Sequence, residues 1–439
     1  MRKQSLFWIS TSLLLVLIMG MAGTFQWRVT AQDGATATPT PTTSTPEATP
    51  KYDEPAYVEG GEAEWTLTDP TFTSHYPDGF QFEAFAKSSA GEVVSASIYY
   101  SHTPTFPEDA RIRGEVDATT GKVTVVVDGR EADDIPPWVA INYRWRLLDS
   151  AGTIYWSDWL VGNEYSDSTH QWERQESEDL VIFVQVGFPK DAVDLAFEAM
   201  ADARSLYIEA FGRLLSYKPR MMLFADEATF EEWRSPDYAL RGIDFIGQAS
   251  GYWGAFIQLI YGDDIEDFAY GTVVHEIGHL YQYDLYESRA PSWWTEGNST
   301  YLEMHQQYDY EGRVRDTIQF SPLESLFAGD GPDIFGNGPD GRSRWGYDVG
   351  YTFNKWLVDN YGWEAHRQLI ALLAAPENLP AYQINDYFKQ SLEQVLGLST
   401  AEIESQWREW LGISGVVPTL PPTPTIEFRF PPTVTPFGQ

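Results

Sequence analysis

Five consecutive residues, His275-Glu276-Ile277-Gly278-His279, carry the clearest chemistry in this chain. On a helix, residues four apart stand one above the other on a single face, so His275 and His279 can aim both imidazoles at one point. Two imidazoles at one point form a ligand pair for a divalent metal, and zinc suits such nitrogens. Glu276 is then placed to take a proton from water at the same point. The combination fits hydrolysis by an activated water with a carboxylate as general base, the arrangement of a zinc-dependent peptidase. Val273, Val274, Ile277 and Leu280 give the segment an apolar packing face, which predicts a helix over 272–280. Gly278 costs about 1 kcal/mol relative to Ala inside a helix, so its presence points to a packing reason.

A catalytic zinc takes three protein ligands and keeps one position open for water. The chain has no cysteine, so its metal ligands must be His or carboxylate and no disulfide braces the fold. The acidic candidates downstream are Asp284, Glu287, Glu296 and Glu303. Asp284 and Glu287 lie on or just past the same helix, too near to fold back over the metal. Glu296 follows a loop containing Pro291 and begins a second helical segment, which can deliver a carboxylate from the opposite side. Glu303, two turns further along the same face, serves either as a hydrogen-bond partner behind the ligands or as a surface acid.

The elements that position these residues form an α+β half over 167–412. Asp179-Leu-Val-Ile-Phe-Val-Gln-Val186 reads as a strand. Residues 190–215 follow with helical periodicity, Ala192, Leu195, Ala196, Ala199 and Ala203 marking the stripe, and Gly212 falls near the end. Arg220-Met-Met-Leu-Phe-Ala225 and Ala255-Phe-Ile-Gln-Leu-Ile-Tyr261 read as further strands, with 245–251 as loop. An edge of this sheet is suited to pairing with an extended peptide. Beyond the motif, 345–361, 363–374, 384–396 and 400–411 read as helices, the last opened by Ser399 with Glu402 in its first turn.

Before this half, 52–166 reads as an all-β accessory domain, a sandwich of immunoglobulin or fibronectin type III kind. Phe80-Gln-Phe-Glu-Ala-Phe85, Ser95–Tyr100, Lys122–Val127 and Val139–Leu147 alternate or are β-branched, and turn residues separate them. Trp138, Trp145, Trp156 and Trp159 are candidates there for carbohydrate or surface binding. Residues 1–31 read as an export signal or a membrane anchor, with Arg2 and Lys3 before an apolar run. Residues 32–51 form a Thr/Pro-rich linker, and 413–439 a Pro/Thr-rich tail expected to be disordered. These ends predict a secreted or surface-tethered chain. The net charge of −35 argues against nucleic acid and anionic membranes as partners.

His275-Glu-Ile-Gly-His279 followed by Pro291-Ser-Trp-Trp-Thr-Glu296-Gly297 resembles the Peptidase MA-like group of gluzincins, relatives of thermolysin and the zinc aminopeptidases. The resemblance covers roughly 167–412. It implies a single zinc ion held by His275, His279 and Glu296, with Glu276 as the general base. It also implies a tyrosine near the start of a later helix as oxyanion donor, matched by Tyr347 with Tyr351 as runner-up, and a Tyr-Gly turn, matched by Tyr361-Gly362. Trp294 stands where the family often has Leu, and Asn298-Ser299 departs from the small apolar pair common after Glu-Gly. The aminopeptidase branch carries a glutamate that binds the substrate amine. The similarly placed segment here, Gly254-Ala255-Phe-Ile-Gln258, has Ile257 at that position.

The sequence therefore predicts a secreted or surface-associated zinc metallopeptidase acting on peptides or proteins, endopeptidase rather than aminopeptidase. The alternative is a non-catalytic surface module with a structural metal site, for which Glu276 has no use.

Overall fold

The computed structural model describes residues 62–104, 110–128, 135–233, 247–259, 264–320, 325–334, 344–376 and 379–413. The leader, the Thr/Pro linker and the tail past 413 lie outside the described residues. The chain forms two compact units, one of Met1–Arg204 with Leu214–Glu287 and one of Ser205–Arg213 with Ser288–Gln439. It thus joins an N-terminal β-sheet region to a helical C-terminal half. Among the described residues, no helix is long and apolar enough to cross a membrane.

The first unit opens with two antiparallel sheets. One has β1 (Trp65–Ser74), β2 (Phe80–Ser88), β6 (Lys122–Val127) and β5 (Glu115–Asp117) in that order. The other has β4 (Ala110–Arg113), β3 (Val93–Ser101), β7 (Ala140–Asp149) and β8 (Ile154–Trp156), with β9 (Leu160–Glu164) also paired to β7. Alternation decides the faces. On β2, Phe80, Phe82, Ala84 and Ala86 are buried while Gln81, Glu83 and Phe85 turn outward. Rings from the two sheets meet in one core, Phe82 against Tyr143 at 4.5 Å and Phe80 edge-on to Tyr100 at 5.5 Å. Of the four candidate tryptophans, Trp145 belongs to this core and Trp138 stacks on Phe183 at 4.9 Å, so neither offers an open surface.

A third sheet follows in the same unit. Its order is β10 (Trp172–Glu176), β11 (Val181–Gln185), β12 (Arg220–Phe224), β14 (Ala255–Leu259), β13 (Gly247–Ser250). The central three strands run parallel, and β10 and β13 flank them antiparallel. The link from β11 to β12 carries α1 (Lys190–Phe211), the helical crossover that a parallel pair requires. A short helix, α2 (Glu227–Glu232), follows β12. Strand β13 corrects the loop expected over 245–251. Gly247-Gln-Ala-Ser250 has no apolar alternation; it is a strand because its backbone pairs with β14. Strand β14 is therefore an interior strand and not an edge.

The motif helix, α3 (Val274–Tyr286), is preceded without interruption by π-helical turns over Asp267–Val273. Gly251, just past β13, lies directly under the Tyr283 ring of α3, and a Cβ there would collide with it.

The second unit contains α4 (Ser292–Leu302), α5 (Tyr310–Phe320), α6 (Trp345–Ala374), α7 (Ile384–Leu396) and α8 (Thr400–Trp410). Gly362 breaks α6 with φ 76° and ψ 170°, which yields the two helical stretches read from sequence. Helix α5 was not expected: its polar run with Gly312 buries mainly Tyr310, Val314 and Ile318, too little apolar signal to show a period. Helices α4 and α6 cross at a glycine pair, where a Cβ on Gly297 would fall on the backbone of Gly350. Helix α8 opens with a reciprocal cap between Ser399 and Glu402.

Candidate metal centre

Helix α3 buries His275, Glu276 and His279 together, each 5% exposed or less. The apolar residues around them, Val274, Ile277 and Leu280, are fully buried and fix the helix against its unit. The Nε2 atoms of His275 and His279 face each other at 3.1 Å. Gln282, one turn past His279 and fully buried, lies with its Oε1 3.0 Å from His279 Nδ1. An amide oxygen only accepts, so Nδ1 is the donor in this contact, and in the neutral ring Nε2 then keeps its lone pair. That is the tautomer a metal requires, fixed by a partner behind the ligand.

One ligand atom each from His275, His279 and Glu296 lie within 4.8 Å of one another, and all three residues are buried. Two nitrogens bound tetrahedrally to one zinc at about 2.05 Å would be about 3.3 Å apart. The observed 3.1 Å is close to that separation. A neutral imidazole pair plus one carboxylate is a zinc-type donor set, so the residues present fit one such ion. Among the described residues this is the one cluster of metal-ligating type.

The other acids read from sequence stand elsewhere. Asp284 is not in the cluster, and Glu287 caps α3 in a left-handed conformation, φ 51°. Glu303 is the C-terminal cap of α4, after which the chain leaves the helix (ψ 130°), and it accepts a hydrogen bond from the Tyr310 hydroxyl at 3.3 Å.

Tyr347 and Tyr351 lie one turn apart on α6. The Tyr351 hydroxyl donates to Gln306 Oε1 at 2.9 Å, and burial pushes its pKa up to about 12. The Tyr347 ring lies under the Arg344 guanidinium at 4.3 Å. Burial pulls Arg344 down, but Tyr347, Tyr310, Glu303 and Glu296 outweigh it, so its pKa sits above the ordinary value. Arg344 stands at φ 64° at the start of α6, a left-handed conformation unusual for a residue with a side chain.

A buried polar network holds α4 from behind. Asn298 Nδ2 donates to His366 Nε2 at 2.8 Å, and His366 Nδ1 donates to the Ala210 carbonyl at 3.0 Å. Asn354 Nδ2 donates to the carbonyls of Gly350 at 2.9 Å and Trp294 at 3.3 Å. Trp294 stacks on His366 at 5.8 Å. Asn298, the departure from the small apolar pair, is thus the partner of a buried histidine. Burial lowers the His366 pKa to about 4, so the ring is neutral, as its two hydrogen bonds require. Sequence reading missed Gln282, Arg344 and His366. Only Gln282 left a signal, as a polar residue at helical spacing from His279 among apolar neighbours.

No protein-family model matches the chain, and no curated protein matches it. Among solved structures it is similar to native leukotriene A4 hydrolase from Saccharomyces cerevisiae. The identity is 11% and the TM-score 0.35, over 80% of this chain and 66% of that one. It is also similar to Legionella pneumophila aminopeptidase A in complex with aspartic acid, at 11% identity and TM-score 0.31, over 82% of this chain and 50% of that one. The chain thus spans just under two thirds of the hydrolase's length and half of the aminopeptidase's.

Proposed function

We propose that this chain is a zinc-dependent metallopeptidase of gluzincin type, acting outside the cell or at its surface on peptide or protein substrates. The observation that carries the reading is the buried cluster of His275, His279 and Glu296, with Glu276 on the same helix. His275 and His279 offer neutral nitrogens and Glu296 a carboxylate oxygen. A zinc ion there supplies Lewis-acid activation of water and of the scissile carbonyl. Glu276 takes the proton of the attacking water and passes it to the leaving amine nitrogen. Tyr347 donates its phenolic hydrogen to the developing oxyanion; Tyr351, whose hydroxyl is committed to Gln306, does not.

The endopeptidase preference rests on Ile257. At the position where an amine-binding carboxylate is expected, this chain has a fully buried aliphatic residue in the hydrophobic core. The two antiparallel sheets before the catalytic half are proposed to be an accessory sandwich of immunoglobulin or fibronectin type III kind. The reading of residues 1–31 as an export signal or membrane anchor supports the location.

The test is zinc content by elemental analysis together with mapping of cleavage products from a peptide library, with and without chelator. One bound zinc and chelator-sensitive internal cleavage are expected. Glu276→Gln should keep the metal and lose turnover. Full activity in that variant would overturn the mechanism, and unchanged zinc content in Glu296→Ala would move the third ligand elsewhere.

A further inference from the structure

In the second unit, Arg313 pairs with Asp348, Arg315 with Glu311, Arg367 with Glu364 and Arg408 with Glu404. Arg344 does not follow them. Its guanidinium lies 4.3 Å from the centre of the Tyr347 ring, and among the described residues its N–H groups enter no ion pair or hydrogen bond. Nor does the side chain cap α6. A guanidinium lying on a ring keeps its N–H edge for acceptors in its own plane, and that edge fits a carboxylate in bidentate fashion. The residue is half-buried. A cation in such a setting is costly without an anion in contact, and a substrate can bring that anion.

Its place is set by the crossing of α4 and α6 at Gly297 and Gly350. Glu296 is next to the first glycine. Tyr347 stands about one turn before the second, and Arg344 about two turns before it. The charges of Glu303 and Glu296 act on Arg344. Glu303, however, accepts from the Tyr310 hydroxyl, and Glu296 is the proposed metal ligand. The start of α6 is held firmly. The Gly346 amide donates to the Asp333 carbonyl at 3.2 Å, and a Cβ on Gly346 would strike Ile334. Arg344 itself stands at φ 64°, a strained backbone of the kind that clusters at ligand clamps. Holding the guanidinium in place beforehand lowers the ordering cost of binding.

We infer that Arg344 determines specificity at the proposed metallopeptidase site, on which reading this inference rests, by taking a substrate carboxylate within one residue of the scissile bond. The guanidinium is 4.3 Å from the ring whose hydroxyl is assigned to the oxyanion. Consecutive residues of a peptide are about 3.8 Å apart, so a carboxylate on the next residue is within reach. Two groups have this chemistry: the side chain of Asp or Glu, and the terminal carboxylate of a peptide cut one residue from its end. The chain's net charge of −35 does not exclude such a substrate. Salt screens charges beyond about 10 Å at 0.1 M, so the cation at contact decides.

The test uses matched peptides on the zinc-loaded full chain. One set has Glu or Asp on either side of the cleaved bond, its partner set has Gln or Asn there, and both are amidated at the end. A further pair has no acidic side chain and ends one residue past the bond, as free acid or as amide. The ratio of kcat/KM for acid over amide should be about 10- to 100-fold, the range of a charge-assisted hydrogen bond, and the pair that shows it names the source of the carboxylate. In Arg344→Gln the ratio should approach unity. Arg344→Lys keeps the charge without the fork and should lie between. Equal kcat/KM for acids and amides in the native chain overturns the inference. So does a loss in Arg344→Gln that is equal on both, which would make Arg344 only a support for Tyr347. If no peptide is cleaved, the metallopeptidase reading fails by itself. Calorimetric binding of the same peptides to the full chain then decides, and equal affinity for acid and amide overturns the inference. The native comparison needs no variant, so a folding defect in Arg344→Gln leaves the inference open to refutation.

Discussion

Replacing Gln282 with leucine tests whether the metal centre is held from behind. The side chain is fully buried, and its oxygen is 3.0 Å from His279 Nδ1. Leucine fills a similar volume and accepts nothing. The Nδ1 proton then loses this acceptor, or it moves to Nε2 and takes the ligand lone pair with it. Loss of a buried hydrogen-bond partner costs about 1–3 kcal/mol. Loss of a supporting contact behind a metal-ligating histidine lowers affinity about 10- to 100-fold, or about 1.4–2.7 kcal/mol. The two routes agree. Zinc affinity, measured by competition against a fluorescent chelator on metal-free protein, should fall by that factor in Gln282→Leu. Gln282→Glu keeps an acceptor and adds charge, so it should bind zinc at least as tightly as the native chain. Affinity within about twofold of native in Gln282→Leu, outside that 10- to 100-fold range, would refute the reasoning. So would Gln282→Glu binding more weakly than Gln282→Leu.

Three further outcomes are expected. Tyr347→Phe should lower kcat by about 100-fold with little change in KM, as for loss of one oxyanion donor, while Tyr351→Phe stays near native; steady-state kinetics on one cleaved peptide separate the two. Burial holds His366 at about 4, below its ordinary 6.5. A lowered folded-state pKa gives stability that is complete above about 6.5 and is lost as pH falls toward 4, about 3 kcal/mol in all. The thermal midpoint should therefore drop between pH 7 and pH 4.5, and His366→Gln should flatten that drop. Gly297→Ala puts a methyl group on the Gly350 backbone and should destabilise by about 3 kcal/mol, read as a lower denaturant midpoint at unchanged slope.

The features legible in the sequence were those written in contiguous residues. The α3 motif announced itself because ligand spacing and apolar flanks coincide within nine positions. Helices α7 and α8 and the strands β2, β3, β6 and β7 showed through their periods. Strand β13 did not, because Gly247-Gln-Ala-Ser250 is a strand by virtue of its partner and not of its side chains. Helix α5 hid behind a polar composition, and the role of Gln282 depends on a distance that spacing only hints at. Arg344 had no local signature at all. Arg111, Arg113, Arg144 and Arg146 on the second sheet become neighbours of Ser97 and Tyr99 only through strand register.

The π-helical turns of Asp267–Val273 bear on how this chain tolerates changes of length. A π turn holds one more residue per hydrogen-bonded loop than an α turn. The segment leading into α3 therefore carries slack. A single-residue deletion there can be absorbed by rewinding into α form, leaving the histidine pair facing the same way. The same deletion between His275 and His279 would turn every later side chain by about 100° and take the two imidazoles off one face. Length variation among sequences built on this plan should collect on the N-terminal side of Val274 and stop abruptly at it.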